Sequence, residues 1–236
     1  VQALLLAGKE YVGIMHIHKD IEEEKIRRIC KRFVGKINQL PPVRSAVKRK
    51  VRQRRVYYFD ILEIERRDIL FRVGCEAGTY IRKLVHDIGK ELGTGAHMVE
   101  LRRTKVGPFD ESTIVTLQDL QDAYWVYKNK NDETVLRKAM QPMENAVKHL
   151  PKIWVLDTTV DSVCHGAQLK VPGIAKFHSG IKEGDLVAIM TLKEELVALG
   201  KARISSEEIE KNEKGIAATL ERVFMEPGIY PRIEKL

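Results

Sequence analysis

Residues 56–64 and 69–76 are two strand-like runs separated by the polar turn Arg66-Arg67-Asp68, a pattern that folds back on itself as a hairpin. Directly after it, Thr79 stands where a helix N-cap is expected. Ile81, Leu84, Val85, Ile88 and Leu92 then recur along one helical face until Gly93 ends the pattern. A hairpin followed by a helix with a single apolar face predicts a sheet covered by helices. The flanks agree with this. Residues 10–17 alternate as a strand, and Asp20, with Glu23 three residues on, is a candidate N-cap for a helix carrying Ile26, Ile29, Cys30 and Phe33, stopped by Gly35. Residues 98–106 read as a strand returning to the sheet.

Residues 117–127 and 133–150 look helical, and Pro151 breaks the pattern where a domain boundary is expected. Beyond it come short runs, 153–156, 186–191, 196–204 and 217–224, spaced as in a small β-barrel. The expected fold is therefore α/β in the broad sense (α+β). Residues 1–150 form a mixed, mostly antiparallel sheet flanked by helices, and residues 151–236 a compact barrel. With 236 residues and 44% hydrophobic content, there is enough material for both cores. The opening Val1-Gln2-Ala3-Leu4-Leu5-Leu6-Ala7-Gly8 reads as the last turns of a helix without cap or initiator Met, so the sequence is expected to begin inside a domain.

Forty-one Lys and Arg against 33 Asp and Glu leave a net charge of +8, which points to polyanionic partners. The densest charge is acid-free: Arg44, Lys48, Arg49, Lys50, Arg52, Arg54 and Arg55. Leu40-Pro41-Pro42 stiffens one end of this stretch and Val56-Tyr57-Tyr58-Phe59 anchors the other in a strand. The cations are thus expected on a loop projecting from a sheet, a clamp for a phosphate backbone, with a solvated face as the competing reading. Arg82 falls in the first turn of a helix, where a cation is unfavourable unless an anion faces it.

Other signals are weak. The three cysteines lie far apart and suggest neither a disulfide framework nor a metal site, which fits a reducing compartment. His16 and His18 face one side of a strand without a third ligand, so no metal is expected. Gly93-Thr94-Gly95-Ala96-His97 follows a helix instead of opening one and makes a poor phosphate loop. No run approaches the roughly 18 apolar residues of a membrane span, and residues 1–6 lack the basic start of a signal peptide. A soluble intracellular protein is expected.

Several motifs occur in a telling order: Lys9-Glu10-Tyr11, then Leu40-Pro41-Pro42-Val43-Arg44-Ser45-Ala46-Val47-Lys48, then Gly78-Thr79-Tyr80-Ile81-Arg82-Lys83-Leu84. Gly95-Ala96-His97-Met98, Leu101-Arg102-Arg103-Thr104 and Gly107-Pro108-Phe109 follow. Together they resemble the TruB branch of pseudouridine synthases, most closely its archaeal and eukaryotic dyskerin-type members. Downstream, Val163-Cys164-His165-Gly166-Ala167, Val171-Pro172-Gly173-Ile174, Gly184-Asp185 and Ile229-Tyr230-Pro231 resemble the PUA domain that those proteins carry.

The resemblance implies that Tyr11 stacks on a flipped-out uracil, that Arg82 pairs with a catalytic aspartate, and that Tyr80 and Leu101 line the pocket. Arg44, Lys48 and Arg49 would grip the substrate strand, and His165, Gly166 and Ala167 would receive a guide RNA. It implies isomerisation of uridine in rRNA, with tRNA as a second candidate substrate, and no metal or other cofactor. The implied partners are guide and substrate RNA, a small zinc-ribbon protein, a small β-barrel protein and, through the RNA, a kink-turn-binding protein. The implied setting is the archaeal cytoplasm, or the nucleolus in a eukaryote. One motif is missing: the family's aspartate lies in G-x-L-D-P upstream of K-x-Y, no Leu-Asp-Pro occurs in the sequence, and Asp157 is no substitute. The 236 residues are therefore expected to be silent by themselves. The alternatives are a non-catalytic RNA-binding or assembly module and a stand-alone tRNA-modifying synthase.

Overall fold

The computed structural model describes residues 2–41 and 48–231, Gln2 by its backbone alone. Arg44 lies outside the described residues. Contacts divide the chain into two units, Val1–Thr116 and Leu117–Leu236.

The first unit opens with a short helix, α1 (Gln2–Leu5), and a strand, β1 (Lys9–Ile17). Then come α2 (Glu23–Arg32), β2 (Gly35–Gln39), β3 (Arg52–Glu65), β4 (Asp68–Cys75), α3 (Ile81–Leu92), β5 (Ala96–Val106) and β6 (Phe109–Asp110). The sheet order is β2-β3-β4-β1-β5-β6, and every neighbouring pair is antiparallel. Alternation along β1 buries Gly13, Met15 and Ile17. Met15 and Ile17 join Phe71 and Val73 of β4 in one apolar cluster with Ile26 and Ile29 of α2 and with Leu84, Val85 and Ile88 of α3. The single apolar face expected of residues 81–92 is the face that is buried.

The hairpin forms as expected, with Glu65 opposite Asp68 and Arg66 at its tip in the left-handed region (φ 54°). Local caps differ from expectation. Asp20 does not cap α2; its carboxylate accepts two hydrogen bonds from Arg67, at 2.8 and 2.7 Å, because a bidentate charged pair outcompetes a backbone N–H. Gly35 (φ 108°) does not end α2, which stops at Arg32, but opens β2. Thr79 does not cap α3 either: its hydroxyl donates to the Glu76 carbonyl at 2.7 Å, and Tyr80 is the N-cap residue.

The basic run also differs. β3 begins at Arg52, so Arg52, Arg54 and Arg55 lie on a strand paired with Gln39, Ile37 and Lys36 of β2, and not on a loop. Of the described cations in the run, Lys48, Arg49 and Lys50 precede the strand and are exposed.

In the second unit α4 (Leu117–Lys130) forms as expected, but the helix expected over 133–150 is broken. α5 (Thr134–Ala139) ends before Pro142, whose ring excludes helix, and a 3-10 turn covers Met143–Val147. Then follow β7 (Lys152–Val155), α6 (Asp157–Cys164), β8 (Leu169–Lys170), β9 (Ile174–Phe177), β10 (Leu186–Met190), β11 (Leu196–Ala202), α7 (Ser206–Lys211) and β12 (Ile216–Val223). The order is β8-β12-β11-β10-β7-β9, with β7 and β10 parallel. Its two edge strands are consecutive in the chain, joined only by the turn Val171–Gly173, so the sheet curls almost into a barrel. Its core includes Ile153, Val155, Val187, Ile189 and Val197.

Among the described residues no helix is long and apolar enough to cross a membrane. The three cysteines are free and buried.

α3 meets β5 through Gly89. The Gly89 carbonyl accepts from Thr94 and Gly95 at 3.2 and 2.9 Å, and a Cβ on Gly89 would stand 2.2 Å from the Ala96 nitrogen. Backbone cannot yield as a flexible side chain can. Gly89→Ala is therefore expected to destabilise the first unit by about 1–3 kcal/mol or more, read as a lower urea midpoint with an unchanged slope.

Candidate active site

Tyr11 sits near the start of β1, opposite Val73 of β4 and Arg103 of β5. Its ring is half-buried against the helix-covered core, and the Arg103 guanidinium lies 5.5 Å from the ring centroid. Leu101, packed against the same core, stands opposite Gly13. A Cβ on Gly13 would lie 3.0 Å from Leu101 Cδ1 and 2.8 Å from the Glu100 carbonyl, so the missing side chain gives Leu101 its place. Tyr11, Arg103 and Leu101 thus lie along one face of neighbouring strands β1 and β5. Lys9 starts the strand, and its ammonium donates to the Ala7 carbonyl at 2.9 Å. Burial first, and the charge of Arg103 second, hold its pKa below the usual lysine range.

The segment carrying Tyr80 and Arg82 leaves the same end of the sheet, because Cys75, the last residue of β4, pairs with Lys9. Tyr80 is half-buried, and Arg82 is exposed in the first turn of α3. The Arg82 side chain makes no ion pair or hydrogen bond among the described residues.

Three residues organise this segment, two of which, Gln39 and Glu76, the sequence reading did not single out. Gln39, 2% exposed at the end of β2, brackets Tyr80: its Oε1 accepts from the Tyr80 N–H at 2.9 Å and its Nε2 donates to the Tyr80 carbonyl at 3.1 Å. Glu76 accepts from the Arg55 N–H at 3.0 Å and pairs with Arg54 at 3.5 Å. Arg54 lies over Gly78 (φ 78°), whose missing Cβ would be 3.2 Å from Arg54 Nε, and that nitrogen is buried without a hydrogen-bond partner among the described residues. A buried glutamine at a strand end gives no sequence signal. The unbroken arginine run did mark Arg54, though not its inward orientation.

In the second unit His165, Gly166 and Ala167 are exposed at the end of α6. Gly166 has φ 88°, and a Cβ there would meet nothing within 4 Å. His165 Nδ1 lies 2.8 Å from the Asp161 carbonyl and 3.3 Å from Asp161 Oδ2. Asp161 is 4% exposed and also accepts from the Gly228 N–H at 3.1 Å. Tyr230, 7% exposed, donates to Glu195 at 2.5 Å. Asp161 and Glu195 together hold the segment 228–230 beside α6 and β11.

At the other end of β1, His16 and His18 are joined by His97, with ring centroids 5.2 to 6.3 Å apart, and Asp68 lies 2.8 Å from His16 Nδ1. Among the described residues no group of three or more such side chains is arranged to hold a metal.

The chain thus presents a helix-covered antiparallel sheet followed by a small curled β-domain. Family models agree along the chain. Residues 6–81 match the TruB family pseudouridylate synthase N-terminal domain, residues 82–148 the tRNA pseudouridylate synthase B C-terminal domain, and residues 151–224 the PUA domain. The chain is 61% identical over 234 residues to the probable tRNA pseudouridine synthase B of Pyrococcus furiosus, covering 99% of this chain and 69% of that protein. It is 56% identical over 232 residues to the protein of the same description from Methanosarcina barkeri, covering 98% of this chain and 69% of the relative. The chain belongs to the TruB family of pseudouridine synthases. Among solved structures it resembles a Cbf5-Nop10-Gar1 complex, with a TM-score of 0.94 and 61% identity over 98% of this chain and 71% of that one. It also resembles an H/ACA RNP bound to a substrate RNA containing 2'-deoxyuridine, with a TM-score of 0.87 and 58% identity over 98% of this chain and 70% of that one.

The bond from Tyr230 is the first cause of a Glu195 pKa below the usual carboxylate range, and the Thr191 hydroxyl is the second. A depressed folded pKa contributes stability that is full above the unfolded value, about 4.3, and lost as pH falls through the folded value. Tyr230→Phe is expected to cost about 1–2 kcal/mol at neutral pH and to flatten the acid limb of the stability curve in urea unfolding below about pH 5.

Proposed function

We propose that this chain serves as the catalytic subunit of a guide-RNA ribonucleoprotein that isomerises uridine to pseudouridine in rRNA, with tRNA as a second substrate. The observation that carries the reading is that Tyr11 and the Tyr80–Arg82 segment share the Lys9–Cys75 end of the sheet, with Leu101 next along the face of Tyr11 and the Arg82 cation unpaired among the described residues. Similar solved structures support it: one is an H/ACA RNP with substrate RNA, another a complex with Nop10 and Gar1. The working assembly is then guide and substrate RNA, a small zinc-ribbon protein and a small β-barrel protein on the catalytic domain, and a kink-turn-binding protein reached through RNA. We assign that work to the archaeal cytoplasm, a reading supported by the archaeal source of the relatives.

Chemically, the N1–C1′ bond breaks, the uracil turns, and C5 bonds to C1′, the C5 proton being lost as N1 gains one. Oxidation state is unchanged. A base in a paired or stacked strand must first leave it, and the Tyr11 face recovers stacking worth about 1–3 kcal/mol. Arg82 keeps a catalytic carboxylate ionised and oriented at the ribose, and Tyr80 and Leu101 wall the pocket. Arg44, Lys48 and Arg49 hold the substrate strand, and the exposed turn His165-Gly166-Ala167 takes the guide, its glycine letting base or backbone approach closely. We assign residues 1–150 to the catalytic domain and 151–236 to the PUA domain.

No Leu-Asp-Pro occurs in the 236 residues, and the family's nucleophile belongs to that motif. Residues 1–236 with guide RNA are expected to form no pseudouridine, whereas the same residues joined to the Leu-Asp-Pro segment form it and lose it on Arg82→Ala. Product from residues 1–236 alone would demand another nucleophile. A joined protein that binds guide RNA yet never yields product would favour the second reading, a non-catalytic RNA-binding module.

RNA contacts are separable by salt. Replacing Lys48 and Arg49 by Ala is expected to flatten the dependence of substrate affinity on salt by roughly one ion for each phosphate no longer neutralised. Gly166→Val should lower guide affinity and leave that slope intact. Equal slopes in all three proteins would remove Lys48 and Arg49 from the interface.

A further inference from the structure

Arg82 makes no side-chain bond among the described residues, so its placement depends on the backbone that enters α3. That entry has no cap of its own. Tyr80, the N-cap residue, makes no side-chain cap bond, and the Thr79 hydroxyl is engaged by the Glu76 carbonyl. The entry is fixed from outside the helix. Gln39 supplies both an acceptor and a donor to the one residue, taking the Tyr80 N–H at 2.9 Å and giving to the Tyr80 carbonyl at 3.1 Å. That carbonyl also accepts the first helical bond of α3, from Leu84 at 2.9 Å.

The other end of the segment is tied to the neighbouring strand. The Glu76 N–H donates to the Arg55 carbonyl at 2.8 Å, and the Glu76 side chain accepts from the Arg55 N–H at 3.0 Å. Gln39 and Arg52 are register partners at the edge of the sheet. The β2–β3 edge therefore grips the Glu76–Tyr80 segment at its first and last residues, and the same strand ends lead to the exposed cations Lys48, Arg49 and Lys50.

We propose that Gln39 is a positioning residue for the isomerisation, holding Tyr80 and the first turn of α3 so that Arg82 meets the carboxylate. This rests on the roles given above to Tyr80 and Arg82. A nearly fully buried amide whose oxygen and nitrogen are both used on one backbone unit allows that unit little freedom. Hydrophobic packing at this position would fill the same space without setting the direction of the Tyr80 peptide. Gln39 touches no reacting atom; it acts through Tyr80.

The test uses the protein joined to the Leu-Asp-Pro segment and assembled with guide RNA, in single turnovers at saturating enzyme. Gln39→Leu is expected to slow product formation about 10- to 100-fold, the size of loss that small misplacements cause, while substrate affinity stays within about two-fold. Gln39→Glu supplies a second readout. Protonated, its carboxyl is shaped like the amide, accepting from the Tyr80 N–H and donating to the carbonyl. Ionised, it sets a negative oxygen against that carbonyl. The ratio of the Gln39→Glu rate to the wild-type rate should therefore be near one at low pH and fall as pH rises through a carboxyl pKa that burial has raised. A ratio flat across pH, or a Gln39→Leu loss confined to substrate affinity, overturns the proposal. If Gln39→Leu does not fold, the pH ratio of the isosteric variant decides alone. A wild-type assembly that makes no pseudouridine brings down the roles of Tyr80 and Arg82 themselves, a failure seen before any Gln39 variant is compared.

Discussion

The register of β1 between β4 and β5 governs which side chains share a face at the Lys9 end of the first unit. Lys9 pairs with Val106 and Glu10 with Lys105, so an unbroken ladder would set Tyr11 opposite Thr104. It does not, because a bulge between Glu10 and Tyr11 skips Thr104 and brings Arg103 opposite Tyr11 instead. The skipped residue is not wasted: the Thr104 hydroxyl donates to Glu10 at 2.7 Å, and Tyr58 donates to the other Glu10 oxygen. Those two bonds hold the Glu10 carboxyl below its ordinary pKa, that from Tyr58 first. A second bulge, between Ile14 and Met15, skips Val99 and leaves it exposed. Because side chains alternate, a slip by one residue would turn Tyr11 and Leu101 away from each other.

The parts of this fold that were legible in the sequence are those whose cause is local. The hairpin about Arg66, the apolar face of 81–92 and the Gly93 stop (φ 77°) each follow from a few neighbouring residues. β2 was not legible, because Gly35–Gln39 has few apolar residues to alternate and is stabilised by an arginine-rich partner that itself lacks the usual pattern. The same blindness affected the caps. Thr79 and Asp20 were the proper local candidates, but long-range bonds decided both places, Gln39 for the entry of α3 and Arg67 for Asp20. Of the candidate site, Tyr11, Tyr80 and Leu101 came from family motifs and not from periodicity, whereas Arg82 was also marked by its charge at the start of a periodic helix. Gln39, Glu76 and Arg103 could be found only once strands were paired.

The second unit shows the same division between local and distant causes. Ser205 and Glu208 form a capping box on α7, a signal readable in four residues. By contrast Pro142, not Pro151, is the residue that ends the helical pattern first, and the curl of the sheet depends on the three-residue turn that makes its two edges neighbours in sequence. Asp161 illustrates what sequence hides. A buried aspartate with one oxygen on Gly228 and the other near His165 joins the end of α6 to the last described segment. The exposed turn that carries His165 and Gly166 is thus supported from below by a group that cannot touch a ligand.

Charge at the Lys9–Cys75 end of the first unit is mostly cationic. Lys9, Arg54, Arg82 and Arg103 gather about the start of β1, the end of β4 and the entry of α3, and Glu76 is the one acid that pairs with any of them among the described residues. Lys9 already feels the repulsion, since Arg103 helps to lower its pKa. Arg82 adds its charge at the positive end of a helix, where it gains nothing from the backbone dipole. A fold selected only for stability would relieve such crowding with a carboxylate or remove one of the cations. Under the function proposed above, the compensating negative groups are the carboxylate of the Leu-Asp-Pro segment against Arg82 and the phosphates of bound RNA along the strand ends of β2 and β3. On that reading, RNA bound at this end of the sheet would relieve the same repulsion and stabilise the fold.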